Sequence, residues 1–342
     1  MGAATTSGSS SGSPAEDDDR EDGRPFSRIE APRDGRVVRP VTGDATQELI
    51  ARLAGGSNGG ACRTGCRHDG LVRRDVSARL ELDVIDPARL YLQVAPPVSG
   101  FGSVADRRLS EELDVRLGET QVPVREIEAP HLGRVHVVEL DPGRVVIDYA
   151  ASITGRDDRP IVDEIDLFRY VRPSRYVESD RLTSFAFAEF AGLEEDELLA
   201  GVSSWVGSRL GYVAGSSRST DGAVSTLLAG EGVCRDFAHL TIALLRAMDM
   251  PARVVSVYAP GLAPMDFHAV TEAYVQGAWQ VVDATLLAPR SSMIRIATGR
   301  DCADTAFLST YGGTVELLDS QVTATVDGQL PGDDPRTLAV LG

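Results

Sequence analysis

The pattern of hydrophobic and polar positions changes about halfway along the chain. Between residues 71 and 170, apolar and polar positions alternate with a period of two in several short segments, which predicts β-strands with one face in a core. These segments are 80–85, 90–94, 113–117, 135–140 and 145–149, and turn residues such as Asp86-Pro87 and Asp141-Pro142-Gly143 separate them. Regular short strands of this kind predict a small β-sandwich or barrel-like domain over 71–170.

From about residue 171 the pattern predicts helices followed by strands. Residues 194–210 and the segment that opens at Cys234 carry apolar side chains at helical spacing, and Pro251 ends the second of these helices. Residues 254–258 read as a strand, and 268–275 with 279–284 read as a hairpin across Gln276-Gly277. The sequence therefore predicts an α+β second domain over 171–330, with 331–342 as a C-terminal tail.

Residues 1–70 are rich in Gly, Ser and Asp and are predicted to be a largely disordered acidic tail. Within it, Cys62, Cys66 and His68 have metal-like spacing, but the sequence holds no matching second cluster, and a structural zinc normally takes four ligands. We therefore expect no metal site, with a metal-binding appendage as the alternative. No EF-hand pattern is present either.

Composition narrows the function classes. The net charge of −17 over 342 residues argues against a nucleic-acid partner, because phosphate contacts need Lys and Arg. No apolar run approaches the length of a membrane span, and the N-terminus has no secretory pattern, so we expect a cytoplasmic protein without a membrane partner. Four cysteines in this length do not make a disulfide framework. The oligomeric state is not indicated.

Cys234 is the strongest chemical signal. It lies in Gly230-Glu231-Gly232-Val233-Cys234 and opens a helix, where the macrodipole and unpaired backbone N–H groups favour a thiolate. A histidine, His268, and an aspartate, Asp283, follow in that order on predicted strands. Cysteine, histidine and aspartate on a helix, a strand and a strand is the chain order of a papain-like thiol acyl-transfer site.

The predicted hairpin allows a geometric test of the last two residues. If Gln276-Gly277 is a two-residue turn, Asp283 lies opposite Val270, two places from His268 and on the same face. A change of one residue in the turn would put the two side chains on opposite faces.

Residues 205–313 resemble the transglutaminase-like family of bacterial proteins. The resemblance rests on three blocks, Gly232 to Leu240, Asp266-Phe267-His268-Ala269 and Trp279 to Thr285. More loosely, residues 71–170 resemble the β-rich domain that precedes this core in such proteins. The resemblance implies a papain-like, transglutaminase-like core in which Cys234 is the nucleophile, His268 the general base and acid, and Asp283 the orienting carboxylate. The backbone N–H of Cys234 would form part of the oxyanion hole.

The predicted chemistry is attack of the Cys234 thiolate on a carboxamide or peptide carbonyl of a protein or peptide substrate, with no cofactor. The resulting thioester would pass its acyl group to water, as in a peptidase or amidase, or to an amine, as in a transglutaminase. Trp205 and Trp279 are candidate walls of the substrate pocket, with core packing as the alternative for each. His239 and Cys302 are expected to be packing or incidental residues. The competing hypothesis is a catalytically silent transglutaminase-like scaffold that acts as a protein-interaction module.

Overall fold

The computed structural model describes residues 72–98, 108–129, 133–155 and 162–341. The expected acidic tail, with Cys62, Cys66 and His68, lies outside the described residues. None of the helices in the described part of the chain is long and apolar enough to cross a membrane.

The described chain begins with a run of antiparallel strands. These are β1 (Arg73–Val84), β2 (Ala88–Leu92), β3 (Arg108–Leu117), β4 (Thr120–Gln121), β5 (Arg125–Ala129), β6 (Gly133–Leu140) and β7 (Gly143–Thr154). Each segment predicted from period-two alternation is a strand. The alternation reflects burial: in β1, Leu80, Leu82 and Val84 are buried in one core.

These strands form two sheets that contribute side chains to one core. One sheet has the order β4-β3-β7-β1 and the other the order β5-β6-β2. Leu82 and Ile147 from the first sheet share a hydrophobic cluster with Leu90 and Val138 from the second. The two inner faces therefore pack against each other.

The end of the chain returns to these sheets, which differs from the domain boundary expected at residue 330. Strand β14 (Leu308–Tyr311) pairs with β2, and β15 (Val315–Val326) pairs with β1 along almost its whole length. Both pairings are antiparallel, and Ala78 faces Val322 across more than two hundred residues of sequence. A partner so distant cannot be read from local periodicity, so the pairing of this segment with the first two sheets was not predicted.

The central part of the chain is helical and then forms a third sheet. Its helices are α1 (Glu164–Tyr170), α2 (Ser179–Phe190), α3 (Glu195–Arg209), α4 (Ala223–Ala229) and α5 (Cys234–Ala247). A parallel pair of two-residue strands, β8 (Gly211–Tyr212) and β9 (Glu231–Gly232), lies before α5. The third sheet has the order β12-β11-β10-β13, from β10 (Ala252–Tyr258), β11 (Phe267–Val275), β12 (Ala278–Val282) and β13 (Ile294–Gly299).

Helix α5 is the centre of this α+β unit. Its apolar residues face the neighbouring helices on one side and the third sheet on the other, and Leu240, Leu244 and Leu245 are fully buried. They share a core with α2, α3 and the inner face of β11. This core fixes the first turn of α5, where Cys234 lies, against the sheet.

The sequence suggested a tail from residue 331, and residues 327–338 are indeed exposed, but the segment 333–341 is attached to the rest of the protein at several points. Asp333 binds the buried guanidinium of Arg290, with Nη2 to Oδ1 at 2.8 Å, and the backbone N–H of Val281 donates to the carbonyl of Ala339 at 2.7 Å. Leu341 is buried in a cluster with Val281. The segment thus contacts β12 at Val281 and the residues around Arg290.

Candidate active site

The first turn of α5 holds Cys234 in a defined position. Cys234 is the first helical residue and is half-buried. The carboxylate of Asp236 closes the turn by accepting from the backbone N–H of Val233 at 2.8 Å and from Ser217 Oγ at 2.9 Å. A Cβ on Gly232 would lie 2.6 Å from the Cβ of Asp236, so glycine is required there. Asp236 therefore caps the helix, as expected for an acidic first-turn residue.

The hairpin has the two-residue turn on which the geometric test depended. Gln276 and Gly277 both have positive φ, 51° and 78°, and Val275 faces Ala278. The register continues to Thr271 facing Val282, so the next pair along is Val270 with Asp283. The predicted register is confirmed.

His268 and Asp283 meet as this register requires. His268 Nε2 lies 2.8 Å from Asp283 Oδ2, and both side chains are about 1% exposed. The other carboxylate oxygen accepts from the backbone N–H of Thr285 at 2.9 Å and from its hydroxyl at 2.6 Å. Since Asp283 is held from both sides, it fixes the orientation of the imidazole.

The second ring nitrogen of His268, Nδ1, is free to interact with the sulfur of Cys234. Nδ1 is buried and has no hydrogen-bond partner within the described residues, while Cys234 interacts with the ring. Burial disfavours the charged imidazole, but Asp283 and Cys234 outweigh that effect and raise the pKa of His268 to about 10. The structure thus brings Cys234, His268 and Asp283 together in that order.

Tyr212 is a site residue that sequence reasoning missed. Its side chain lies close to Cys234 and interacts with that residue and with Asp266. Burial, followed by nearby negative groups, raises the pKa of Tyr212 to about 12. No motif signalled this residue, because it precedes Cys234 by more than twenty positions and reaches it through the pairing of β8 with β9.

The two tryptophans expected at the substrate pocket occupy different surroundings. Trp279 is fully buried, with the guanidinium of Arg253 3.9 Å from its ring centre and Tyr170 against its edge. It is therefore a core residue, and the expectation that it walls the pocket was wrong. Trp205 is half-buried and borders a cavity of about 290 Å³. That cavity is also lined by Phe185, Glu189, Arg209, Leu210, Leu227 and Gly230.

His239 on α5 contacts the backbone of Cys302, which lies in the loop after β13. His239 Nε2 accepts from the backbone N–H of Cys302 at 3.1 Å, and its ring stacks on Tyr176. Burial lowers the pKa of His239 to about 4, so the ring is neutral and can accept this hydrogen bond. Burial also raises the pKa of the Cys302 thiol. His239 thus has a packing and hydrogen-bonding role, and Cys302, which was expected to be incidental, contacts it through its backbone N–H.

Among the residues that the structure describes, no group of three or more His, Cys, Asp or Glu side chains is arranged to hold a metal ion. The donor set around Cys234 consists of a thiol, an imidazole, a carboxylate and a phenol, and the imidazole is already bound to the carboxylate. This arrangement can generate a nucleophile and move a proton without further groups.

Comparison with known proteins agrees with this geometry. Residues 191–284, which include all three site residues, match the Transglutaminase-like superfamily. A crystal structure described as "a Putative Cysteine Protease from Cytophaga hutchinsonii" is similar over 78% of this chain and 96% of that one, with a TM-score of 0.69 and 28% identity.

Two mycobacterial proteins, both described as uncharacterized, are related over shorter stretches. One from Mycobacterium leprae is 30% identical over 124 residues, and one from Mycobacterium tuberculosis is 44% identical over 62 residues. These matches span 43% and 20% of the relatives' own lengths, so less than half of either relative is covered. Residues 191–284 of the chain therefore form a transglutaminase-like core within the α+β unit.

Proposed function

We propose that this protein is a cysteine-dependent acyl-transfer enzyme that attacks a carboxamide or peptide carbonyl through Cys234. The observation that carries the proposal is the position of His268, whose ring is bound to Asp283 at 2.8 Å and interacts with Cys234. An oriented base next to a thiol at a helix start is the arrangement that nucleophilic thiol catalysis needs. We assign Cys234 as the nucleophile, His268 as the proton carrier and Asp283 as the orienting group.

The first half-reaction forms a thioester. With a protonated imidazole beside it, the sulfur reacts as a thiolate and forms a C–S bond to the carbonyl carbon, while the carbonyl π electrons move to oxygen. The backbone N–H of Cys234 donates to this oxyanion. When the oxyanion collapses, the C–N bond breaks and the leaving amine or ammonia takes the proton from His268.

The second half-reaction releases the acyl group. Water or an amine attacks the thioester carbonyl, the now neutral His268 takes a proton from the attacking group, and the C–S bond breaks to return the thiolate. We propose a protein or peptide substrate and water as the first acceptor to test. Support for hydrolysis comes from the description of the similar Cytophaga hutchinsonii structure, which names a cysteine protease.

The experiment is mass spectrometry of products after incubation with a library of Gln-containing peptides, with and without a primary amine. A cleaved backbone or a Gln converted to Glu identifies hydrolysis, and an amine-linked product identifies transfer to amines. Cys234→Ala must abolish every product, and Cys302→Ala is the matched control that must retain them. Product formation that survives Cys234→Ala contradicts the proposal, and a wild type without any product favours the silent-scaffold hypothesis.

A further inference from the structure

The cavity beside Trp205 lies between three helices, and none of its lining residues belongs to the proposed catalytic triad. Its walls come from α2, from the end of α3 and from the end of α4. The rings of Phe185 and Trp205 meet edge to face with their centres 5.5 Å apart, and Leu227 packs against the same core. The volume of about 290 Å³ corresponds to about ten waters, which is room for one large side chain and its backbone. The cavity thus offers an apolar, aromatic surface to a small group.

Two exposed charged side chains hold the indole of Trp205 in place. Glu189 lies at the edge of the ring, where its Oε2 accepts from Trp205 Nε1 at 3.1 Å. Arg209 lies over the face of the ring, with its guanidinium carbon 5.2 Å from the ring centre. Within the described part of the chain, Glu189 thus has a donor, whereas Arg209 has no carboxylate at salt-bridge distance. A guanidinium in this position can bind a carboxylate that enters the cavity.

The short parallel strands connect this cavity with the nucleophile. Strand β8 follows Leu210 and strand β9 follows Gly230, and both of these residues line the cavity. Because the strands are parallel, both run from the cavity towards Cys234, which opens α5 just after β9. The four steps from Gly230 to Cys234 span no more than about 14 Å. An extended peptide covers this distance in about four residues, so a substrate bound at the thiol can reach the cavity.

We propose that this cavity binds the C-terminal residue of a peptide substrate. The apolar side chain of that residue packs against Trp205 and Phe185, and its terminal carboxylate binds Arg209. Charge complementarity selects this occupant, because an internal apolar residue brings no anion to the guanidinium. The inference rests on the proposed acyl transfer, and it specifies the substrate of that reaction as a peptide whose reacting carbonyl lies about three residues before an apolar chain end.

The test measures binding without turnover, in the full chain carrying Cys234→Ala. The first probe is the peptide acetyl-Ala-Gln-Ala-Ala-Phe with a free C-terminal carboxylate. The second is the same peptide as its C-terminal amide, and the third is the acid with Ser in place of Phe. Affinities are measured by isothermal titration calorimetry and by tryptophan fluorescence, which reports on Trp205 because the other tryptophan of the chain, Trp279, is fully buried. We expect the amide and the Ser peptide each to bind about tenfold more weakly than the acid.

In the same background, Arg209→Gln should weaken binding of the acid about tenfold and remove its advantage over the amide. The matched control is Arg172→Gln, since that guanidinium also lies over an exposed ring, 5.3 Å from the centre of Phe168, but outside the cavity. It should leave all three affinities unchanged.

Equal affinity for the acid and the amide overturns the inference, and so does the absence of binding at millimolar peptide or an acid preference that survives Arg209→Gln. Failure of the proposed function is recognised separately. In that case the acid would still bind to Cys234→Ala with the expected preference, but wild type would convert none of the peptides.

Discussion

The interior of the third sheet contains a charged cluster whose removal gives a stability prediction. Glu272 on β11 is fully buried between Arg253 on β10 and Arg295 on β13. Arg253 Nε donates to Glu272 Oε2 at 2.8 Å, Arg295 Nη1 donates to the same oxygen at 3.0 Å, and Arg295 Nη2 also binds Oε1. The perturbation is Glu272→Gln, which keeps the size of the side chain and removes its charge.

The expected loss of stability can be worked out from the pKa of Glu272. Burial alone would raise the pKa of Glu272, but Arg295 and Arg253 outweigh it and lower the pKa from 4.5 to about 2. At about 1.4 kcal/mol per pKa unit, ionised Glu272 contributes about 3 kcal/mol to the free energy of unfolding. In the variant, two buried guanidinium groups lose their carboxylate, and breaking such a pair costs about 3–5 kcal/mol.

The pH dependence has a defined sign. Because the pKa of Glu272 is lower in the folded protein than in the unfolded chain, its contribution is complete above about pH 4.5. The contribution is lost as the pH falls from there towards about 2. Urea denaturation of wild type should therefore show a loss of stability over this range that Glu272→Gln does not share.

The assay is urea denaturation of wild type and variants at neutral pH, with thermal unfolding as a second measurement. Glu139→Gln is the matched control, because Glu139 pairs with Arg89 at the surface, where the side chains are 65% and 50% exposed. We expect no measurable change from that substitution. A Glu272→Gln variant as stable as wild type would refute the reasoning, since water or other groups would then satisfy both arginines.

Three further outcomes are expected. Asp283→Asn removes the main group that raises the pKa of the active-site imidazole, so alkylation of the thiol by iodoacetamide at neutral pH should slow by at least about tenfold, measured as a pH–rate profile. Gly207→Ala places a Cβ 2.6 Å from the carbonyl oxygen of Ala284, the residue after Asp283, and should lower the free energy of unfolding by about 1–3 kcal/mol in urea denaturation. Gly201→Ala is the control in the same helix: its Cβ would meet only the end of the flexible Leu193 side chain, so this variant should be as stable as wild type or more stable. Asp333→Asn weakens the binding of the C-terminal segment to Arg290 and should cost about 1–2 kcal/mol; an unchanged urea midpoint would mean that the segment does not contribute to stability.

Local signals in the sequence predicted much of the fold. Period-two alternation located the strands of the first two sheets, and helical spacing with Pro251 bounded α5 correctly. The two-residue turn at Gln276-Gly277 fixed the register that brings His268 and Asp283 together. These features could be predicted because each depends on residues close to one another along the chain.

Features that depend on distant pairing were not predicted. The return of β15 to β1 depends on an edge left open by strands more than two hundred residues earlier. Tyr212 reaches Cys234 only because β8 pairs with β9. The expectation that Trp279 lines the substrate pocket failed for a related reason. A tryptophan beside the predicted site can equally pack on a buried arginine, as Trp279 does on Arg253. The position of Arg253 depends on the register of β10 with β11, which is a pairing between strands.

The central claim, that Cys234 forms a covalent acyl-enzyme with the help of His268, is tested most directly by trapping that intermediate. Wild type, Cys234→Ala and His268→Ala are mixed with p-nitrophenyl acetate, quenched in acid within the burst and mapped by peptide mass spectrometry. The account predicts an acetyl group of about 42 Da on the Cys234 peptide of wild type, removable by hydroxylamine, absent from Cys234→Ala and formed much more slowly in His268→Ala. An acetyl group on the Cys302 peptide instead, or a rate that His268→Ala leaves unchanged, would contradict it.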